Sequence, residues 1–142
     1  MFTVKIHNSK RLQKKINSYG KKAPKALDQA LTKAAFNTQN IAVLEIQQGA
    51  KTGRVYKKRG GKAHKASAAG EAPATDEGIL VQNITVEKKK IMHYDVGSRK
   101  AAPHGYWLEF GTSRMDARPW LTHAVKIARK ELSEDLKRIK VQ

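Results

Sequence analysis

The sequence contains no cysteine, only four prolines and few aromatic residues. Without cysteine the chain can form neither a disulfide bond nor a thiolate metal site, and this composition suits a reducing compartment. No window approaches the roughly 18 consecutive apolar residues that a transmembrane helix requires. The N-terminal residues lack the apolar core of a signal peptide. We therefore expect a protein without disulfides that makes no contact with a membrane.

Acidic residues are also scarce in this chain. Asp and Glu number 12 against 29 Lys and Arg, so the formal net charge is +17. Such an imbalance points to a polyanionic partner such as nucleic acid, anionic lipid or an acidic protein surface. At 142 residues the chain has the usual size of one domain and is long enough to bury a core.

The spacing of apolar residues predicts the secondary structure. Alternation in "MFTVKIHN" predicts a first strand, and Ser9 can cap a brief basic helix that ends near Tyr19. Apolar residues recur at helical spacing over about 23–48 and 118–140, which predicts two substantial helices. The stretch "ILVQNITVEKKKIMHYDVGS" predicts a hairpin with its turn at Lys88–Lys90, and "YWLEF" predicts one further strand.

These elements predict one α+β domain that spans residues 1–142. In this domain a long helix in the N-terminal half and a C-terminal helix pack on a small, mostly antiparallel sheet. Between them, residues 50–77 have the composition of a long loop, with glycines, small polar residues and no periodicity. Loops longer than about 12–15 residues are usually functional or disordered.

The loop is strongly basic over its first half, where it carries no acidic residue. Cations interleaved with glycine can follow a phosphate backbone, and one tyrosine is too little for base stacking, so we expect no sequence-specific readout. An equally supported interpretation is an arm that folds against an acidic neighbouring subunit. The candidate contact residues, for nucleic acid or for a protein partner, are Lys51, Arg54, Lys57, Lys58, Arg59, Lys62 and Lys65.

The sequence shows no recognisable catalytic or cofactor motif. The five histidines lack the spacing of a helical zinc pair. The stretch "GAKTG" lacks the earlier glycine of a phosphate-binding loop and follows a helix instead of a strand. No serine sits in a nucleophile motif, and the few carboxylates fall mostly on helix surfaces. We therefore predict a protein that is not an enzyme, with no catalytic residue, no metal site and no cofactor.

The stretch "YWLEFGTSRMDARPWL" predicts a rigid corner before the final helix. Gly111 allows an unusual φ, Thr112 or Asp116 can cap, and Pro119 can begin the helix with Trp120 packed beneath it. Glu109 is within reach of Arg114 or Arg118, and a bidentate carboxylate–guanidinium pair would lock the corner. The predicted corner residues are Glu109, Gly111, Thr112, Arg114, Arg118, Pro119 and Trp120.

Two segments, "GEAPATDEGILVQNI" and "YWLEFGTSRMDARPWL", resemble the head–tail joining or tail-completion family of tailed bacteriophages, whose members are minor tail components. That family has a segment of the form EFGT-x-(R/K)-M-x-A-R-P-(F/W)-L, and residues 109–112 match its EFGT. Met115 and residues 117–121, which include Arg118, Pro119 and Trp120, match its M-x-A-R-P-(F/W)-L portion. Glu77 departs from a usual Thr and Asp116 from a common Pro, and both departures fall at turns.

The resemblance implies a structural virion protein of the neck or tail top. Such a protein would form a homo-oligomeric ring around the DNA channel and contact other phage neck and tail proteins, with non-specific contact to double-stranded DNA as a further expectation. It would be present in the host cytoplasm during assembly and then in the virion. Two alternatives stay open: a tail-terminator protein of the same neck region, and a stand-alone basic nucleic-acid-binding module.

Overall fold

A computed structural model describes residues 3–5, 10, 14, 20, 22–57 and 60–139. Helices and short antiparallel strands are both present among them, which confirms the predicted α+β class. The elements, in chain order, are β1 (Thr3–Lys5), α1 (Lys22–Gln48), β2 (Val55–Lys57), β3 (Ala63–Lys65), α2 (Ile79–Gln82), β4 (Ile84–Lys90), β5 (His93–Ser98), α3 (His104–Phe110) and α4 (Leu121–Arg138).

The main sheet is antiparallel, with β5 between β1 and β4. Val96 lies opposite both Val4 and Val86 in the two ladders. Helix α1 packs on β4, β5 and α4, and its buried alanines allow this close approach. The core cluster consists of Ala35, Ala42, Ile46, Leu80, Ile84, Tyr94, Val96, Ala102, Trp120, Leu121 and Ala124.

The two long helices were predicted nearly to their ends. Helix α1 begins one residue before the predicted Ala23 and ends at the predicted Gln48, while α4 begins three residues after the predicted start. The predicted helix from Ser9 to Tyr19 lies, apart from single positions, outside the described residues. No helix in the described part of the chain is long and apolar enough to span a membrane.

The predicted hairpin forms, but its limits differ from the prediction. Residues 79–82 form the helical turn α2 instead of extending the first strand. The lysine cluster belongs to β4, and the turn lies at Ile91 and Met92, where Met92 has φ 56°. The prediction of a turn at Lys88–Lys90 is therefore wrong. Lys88 instead lies opposite Tyr94 and reaches a carboxylate on α1.

The segment predicted as a strand over Tyr106–Phe110 is the helix α3. Gly105 and Glu109 are buried and Leu108 is half-buried, which is the i, i+3, i+4 pattern of one helix face. Five residues are too few for periodicity to separate a strand from a helix. A Cβ on Gly105 would lie 2.8 Å from Leu80 Cδ1, so glycine lets α3 approach the core closely.

The side chain of Asp28 joins α1 to the β4–β5 turn. Its Oδ2 accepts a hydrogen bond from Lys88 Nζ at 2.6 Å. Its Oδ1 accepts from the backbone N–H of Met92 at 2.8 Å and from the Tyr94 hydroxyl at 3.0 Å. The hydrogen bond from Lys88, together with those from Met92 and Tyr94, lowers the pKa of Asp28 below its ordinary value.

We predict that Asp28→Asn lowers the free energy of unfolding at pH 7 by about 1–2 kcal/mol, because charge-assisted hydrogen bonds to the turn are lost. A carboxylate whose pKa is lowered by folding stabilises the fold above its unfolded pKa, and that contribution disappears as the pH falls through the folded pKa. The difference between wild type and variant should therefore shrink below about pH 4. Urea unfolding at several pH values measures it. A difference that grows in acid would contradict this assignment.

Candidate functional site

A tight turn connects α3 to the segment that leads into α4. Gly111 leaves α3 with φ +75°, and a Cβ there would lie 2.7 Å from the carbonyl oxygen of Met115. The N–H of Thr112 donates to that oxygen at 2.8 Å. The N–H of Arg118 then donates to Leu108 O at 2.7 Å, so the chain folds back along α3. Gly111 therefore has the unusual φ that the sequence predicted, although it leaves a helix instead of a strand.

The Glu109 carboxylate caps the N-terminus of α4. It is buried, and its Oε2 accepts from the backbone N–H groups of Trp120 and Leu121, each at 2.9 Å. Its Oε1 accepts from the N–H of Thr122 at 3.0 Å and from the hydroxyl of the same residue. A helix start leaves such N–H groups without intrahelical partners, and its dipole favours negative charge. One carboxylate on α3 thus fixes the position and direction of α4.

This geometry corrects two predictions about the corner. The expected pair between Glu109 and Arg114 or Arg118 is wrong, because the carboxylate is occupied by the helix start and Arg114 is exposed. The expected caps from Thr112 or Asp116 are also wrong. The Thr112 hydroxyl accepts from the N–H of Arg114 at 3.2 Å, and Asp116 is exposed.

Trp120 lies directly beneath the corner, as predicted. Its side chain is completely buried, and its indole Nε1–H donates to Gly105 O at 3.0 Å. Pro119 is half-buried and lies two residues before the first residue of α4, so it does not begin the helix itself. The tryptophan therefore joins the start of α3 to the start of α4 while Glu109 joins the end of α3 to the same place.

The corner is also tied to the basic segment 50–77. The Arg118 guanidinium donates through Nε to Ser67 O at 3.1 Å. The N–H of Gly70 donates to Ala117 O at 2.9 Å. Arg118 thus has a structural partner other than the predicted carboxylate, and it holds the basic segment against the corner.

Within the basic segment, strands β2 and β3 form a two-stranded antiparallel hairpin, which the loop-like composition did not predict. Tyr56 lies opposite His64, and backbone hydrogen bonds from Gly53 to Ala66 and from Ala66 to Arg54 continue the ladder. Four of the seven predicted contact residues are exposed on or beside this hairpin, whereas Lys58 and Arg59 lie outside the described residues. The exposed four are Arg54, Lys57, Lys62 and Lys65.

Lys51, the remaining predicted contact residue, points inward. Its Nζ donates to the carbonyl oxygens of Glu45 and Ala72, both at 3.3 Å. Burial lowers the pKa of Lys51 below its ordinary value, although Glu71 and Glu45 oppose the shift. This side chain joins the end of α1 to the basic segment and does not belong to its outer surface.

Glu71 holds the two ends of the hairpin together. Its Oε2 accepts from the N–H groups of Thr52 at 2.9 Å and Ala68 at 2.8 Å. Its Oε1 accepts from the Thr52 hydroxyl at 2.5 Å. The hydrogen bonds from the side chain and backbone of Thr52, followed by that from Ala68, lower the pKa of Glu71 to about 2.

An exposed aromatic face covers the outer side of α3. Tyr106, Trp107 and Phe110 are each about half exposed, and the rings of Tyr106 and Phe110 lie 4.9 Å apart. We call these three side chains the aromatic face. Sequence reasoning missed it, because a strand would have placed Trp107 on the opposite side from its neighbours. The spacing of the same residues on a helix would have predicted the aromatic face.

The described residues also contain an open cleft and several histidines near carboxylates. The cleft, of about 220 Å³, lies between the end of α1, residues 73–80 and α3, with Asp76, Glu77 and His104 in its lining. His64 Nδ1 lies 3.9 Å from Asp76 Oδ1. Among the described residues, no three or more His, Cys, Asp or Glu side chains converge closely enough to hold a metal ion.

The fold and the corner define a small α+β protein that exposes an aromatic helix face and a cationic hairpin. The family model described as "Bacteriophage HK97-gp10, putative tail-component" matches residues 10–111, more than two thirds of the chain, and the chain belongs to this family. It is therefore a structural phage tail component, which implies a location in the virion. Comparisons with curated proteins and with solved structures find no match.

We predict that Glu109→Ala lowers the free energy of unfolding by about 1.5–3 kcal/mol, because buried N–H groups at the start of α4 lose a charged acceptor. The control is Glu134→Ala, an exposed change on α4, the helix that Glu109 caps. It should cost less than about 0.5 kcal/mol. Chemical unfolding followed by circular dichroism measures both. Equal, small losses for the two variants would contradict the capping role of Glu109.

We predict that Glu71→Gln loosens the base of the hairpin without unfolding the domain. The carboxylate accepts two backbone N–H bonds there, and a neutral amide accepts them more weakly. Amide hydrogen exchange at Thr52 and Ala68 should accelerate at pH 6, while exchange in α1 stays unchanged. The wild-type carboxylate should hold these amides until the pH approaches 2, because its lowered pKa keeps it charged. Unchanged exchange at both amides in the variant would rule out this clamp.

Proposed function

We propose that this tail component completes the tail or joins head to tail, as one α+β domain of residues 1–142 within a ring around the DNA channel. The observation that carries the proposal is the aromatic face on a helix that two fixed connections hold in place. A neighbouring copy of this chain is the partner that we assign to it. Family membership supports the tail location, and the ring is our inference from the surfaces.

The aromatic face has the properties of an assembly surface. Aromatic side chains are enriched where proteins associate, since each contributes large apolar area at a small cost in conformational entropy. Here α3 is held in the core through Gly105 and fixed at its other end by the Glu109 cap. Its aromatic side chains are therefore positioned before any partner arrives, which lowers the entropic cost of association.

The hairpin supplies a second surface of different composition. Val55 and Tyr56 are exposed on it between basic residues. An isolated two-stranded hairpin is at best marginally stable in water, and this one is held at its base by Glu71 and at its side by Arg118. Two dissimilar surfaces on one chain favour head-to-tail contacts, which close into a ring when the rotation between copies allows it.

A specific observation also favours the stand-alone nucleic-acid-binding module as a second candidate. Most acidic side chains have partners within the fold, so the cations dominate the outer surface. The acids engaged in this way include Asp28, Glu71, Glu87, Glu109, Glu131 and Asp135. A module of this kind would bind DNA without forming a ring, so measuring the assembly state separates the two candidates.

We predict that the double variant Trp107→Ala, Phe110→Ala assembles at least about tenfold more weakly than wild type, because the aromatic anchors of the interface are removed. Phe36→Ala is the matched control, since Phe36 is 51% exposed on α1 and Phe110 is 54% exposed on α3. Light scattering and native mass spectrometry measure the assembly state. Tail tubes and portals serve as added partners where the protein alone stays monomeric.

Two outcomes would contradict the proposed function. One is a wild-type protein that stays monomeric and binds neither tail tubes nor portals. The other is equal weakening by Phe36→Ala and by the double variant, which would show that assembly does not depend on the aromatic face.

A further inference from the structure

We propose that the outer face of α4 is the surface that meets double-stranded DNA, through non-specific contacts to phosphates. The cations on this face are Lys126, Arg129, Lys130 and Lys137, and all four are exposed. We call these four cations the α4 cationic line. Arg138 is also exposed, but it lies on the side of the helix that bears Glu131. The inference rests on the proposed function, in which the protein lies beside the DNA channel. It assigns that contact to α4, whereas the sequence pointed to the basic segment 50–77.

Two of the three acidic residues of α4 lie on the side that contacts α1. Asp135 Oδ2 pairs with Lys33 Nζ of α1 at 2.7 Å, and Glu131 accepts from the side-chain amide of Asn37. Both acids are thus used in packing α4 on α1. The four cations make no ion pair within the described part of the chain. Helix α4 therefore directs two of its three acids toward α1 and presents these cations to solvent, with the exposed Glu134 as the one acid beside them.

The cations follow a nearly straight path along the helix. Lys126, Lys130 and Lys137 fall within about 40° of one another around the axis, at about 100° per residue, and span about 16 Å. Arg129 lies on one side of this path, and Glu134 lies about 40° beyond Lys130 on the other. Duplex DNA carries one negative charge per about 1.7 Å of its length, so a rigid line of this length can meet several phosphates at once.

The line is rigid because the opposite side of α4 is part of the core. Leu121, Ala124 and Ala128 are buried there, and Glu109 fixes the start of the helix. The line itself carries no aromatic side chain, so stacking on bases is excluded and contact is limited to the backbone. The hairpin differs from α4 in packing and in composition. It is a two-stranded ribbon, and its exposed Val55 and Tyr56 suit contact with protein.

Two full-length variants with the same loss of charge test the inference. In the helix variant, Lys126→Gln, Arg129→Gln, Lys130→Gln and Lys137→Gln remove the line, and glutamine keeps a high helix propensity. In the hairpin variant, Arg54→Gln, Lys57→Gln, Lys62→Gln and Lys65→Gln remove as many charges. The probe is a fluorescent 30-base-pair duplex of arbitrary sequence, titrated from 50 to 200 mM salt. Thermal unfolding verifies that both variants fold.

The helix variant should lose about a hundredfold in affinity, and its slope of log affinity against log salt should become shallower by about 3–4. The hairpin variant should lose less than tenfold. Equal losses for the two variants would overturn the inference, because net charge alone would then explain binding. A larger loss for the hairpin variant, or no binding by wild type at 50 mM salt, would overturn it as well.

Light scattering on the same samples separates this inference from the proposed function. A helix variant that assembles like wild type but does not bind DNA supports both. If the wild-type protein never assembles, and only the helix variant binds the duplex more weakly, the result contradicts the ring and supports the α4 contact. A ring that forms normally and binds DNA equally in both variants contradicts only the α4 contact.

Discussion

The carboxylate of Glu109 is the interaction on which the described corner depends. A helix start buried against another helix leaves N–H groups that water cannot reach, and α4 carries no capping side chain of its own at Trp120. Glu109 supplies the missing acceptor from α3, so the last turn of one helix and the first turn of the next become one unit. The buried indole of Trp120 fastens the same two helices at a second point.

This unit determines how the outer surfaces are presented. The aromatic face lies on the solvent side of the helix that bears Glu109, and the α4 cationic line lies on the helix that Glu109 caps. The basic hairpin is connected to the same corner through Arg118 and Ser67. In the proposed ring, each copy must keep its contacts in register with its neighbours. A single buried carboxylate that fixes several surfaces at once meets that requirement.

The fold uses acidic and basic side chains differently. Asp28, Glu71 and Glu109 each accept backbone N–H groups and so serve as structural connections. Most of the positive charge faces outward, with Lys51 and Arg118 as exceptions. A net charge of +17 would oppose the approach of identical copies, and a polyanion beside them would relieve that repulsion. The proposed assembly and the proposed contact with DNA would therefore support each other on physical grounds.

The sequence predicted the parts of the fold that rest on long periodicity or on single special residues. Both long helices were predicted from their apolar spacing, and the glycine at position 111 and the burial of Trp120 were predicted from the corner motif. Helix α3 was not predicted, because a segment of five mostly apolar residues fits both the period of a strand and that of a helix.

The site was predicted less completely than the fold. A carboxylate beside two arginines suggests an ion pair, yet Glu109 found backbone donors brought near only by tertiary packing. Lys51 has the same sequence context as its exposed neighbours, and only the structure shows that it points inward. The α4 cationic line was missed because the apolar stripe of that helix, and not its outer face, carried the prediction of a helix.

Amide hydrogen exchange on the free and the assembled protein tests the central claim most directly. The amides of Trp120, Leu121 and Thr122 should be protected in both states, because Glu109 accepts their hydrogen bonds within one chain. The amides of α3 should gain protection only on assembly, when the aromatic face is covered. Rapid exchange at residues 120–122 in the free protein, or α3 amides that exchange equally in both states, would contradict the account.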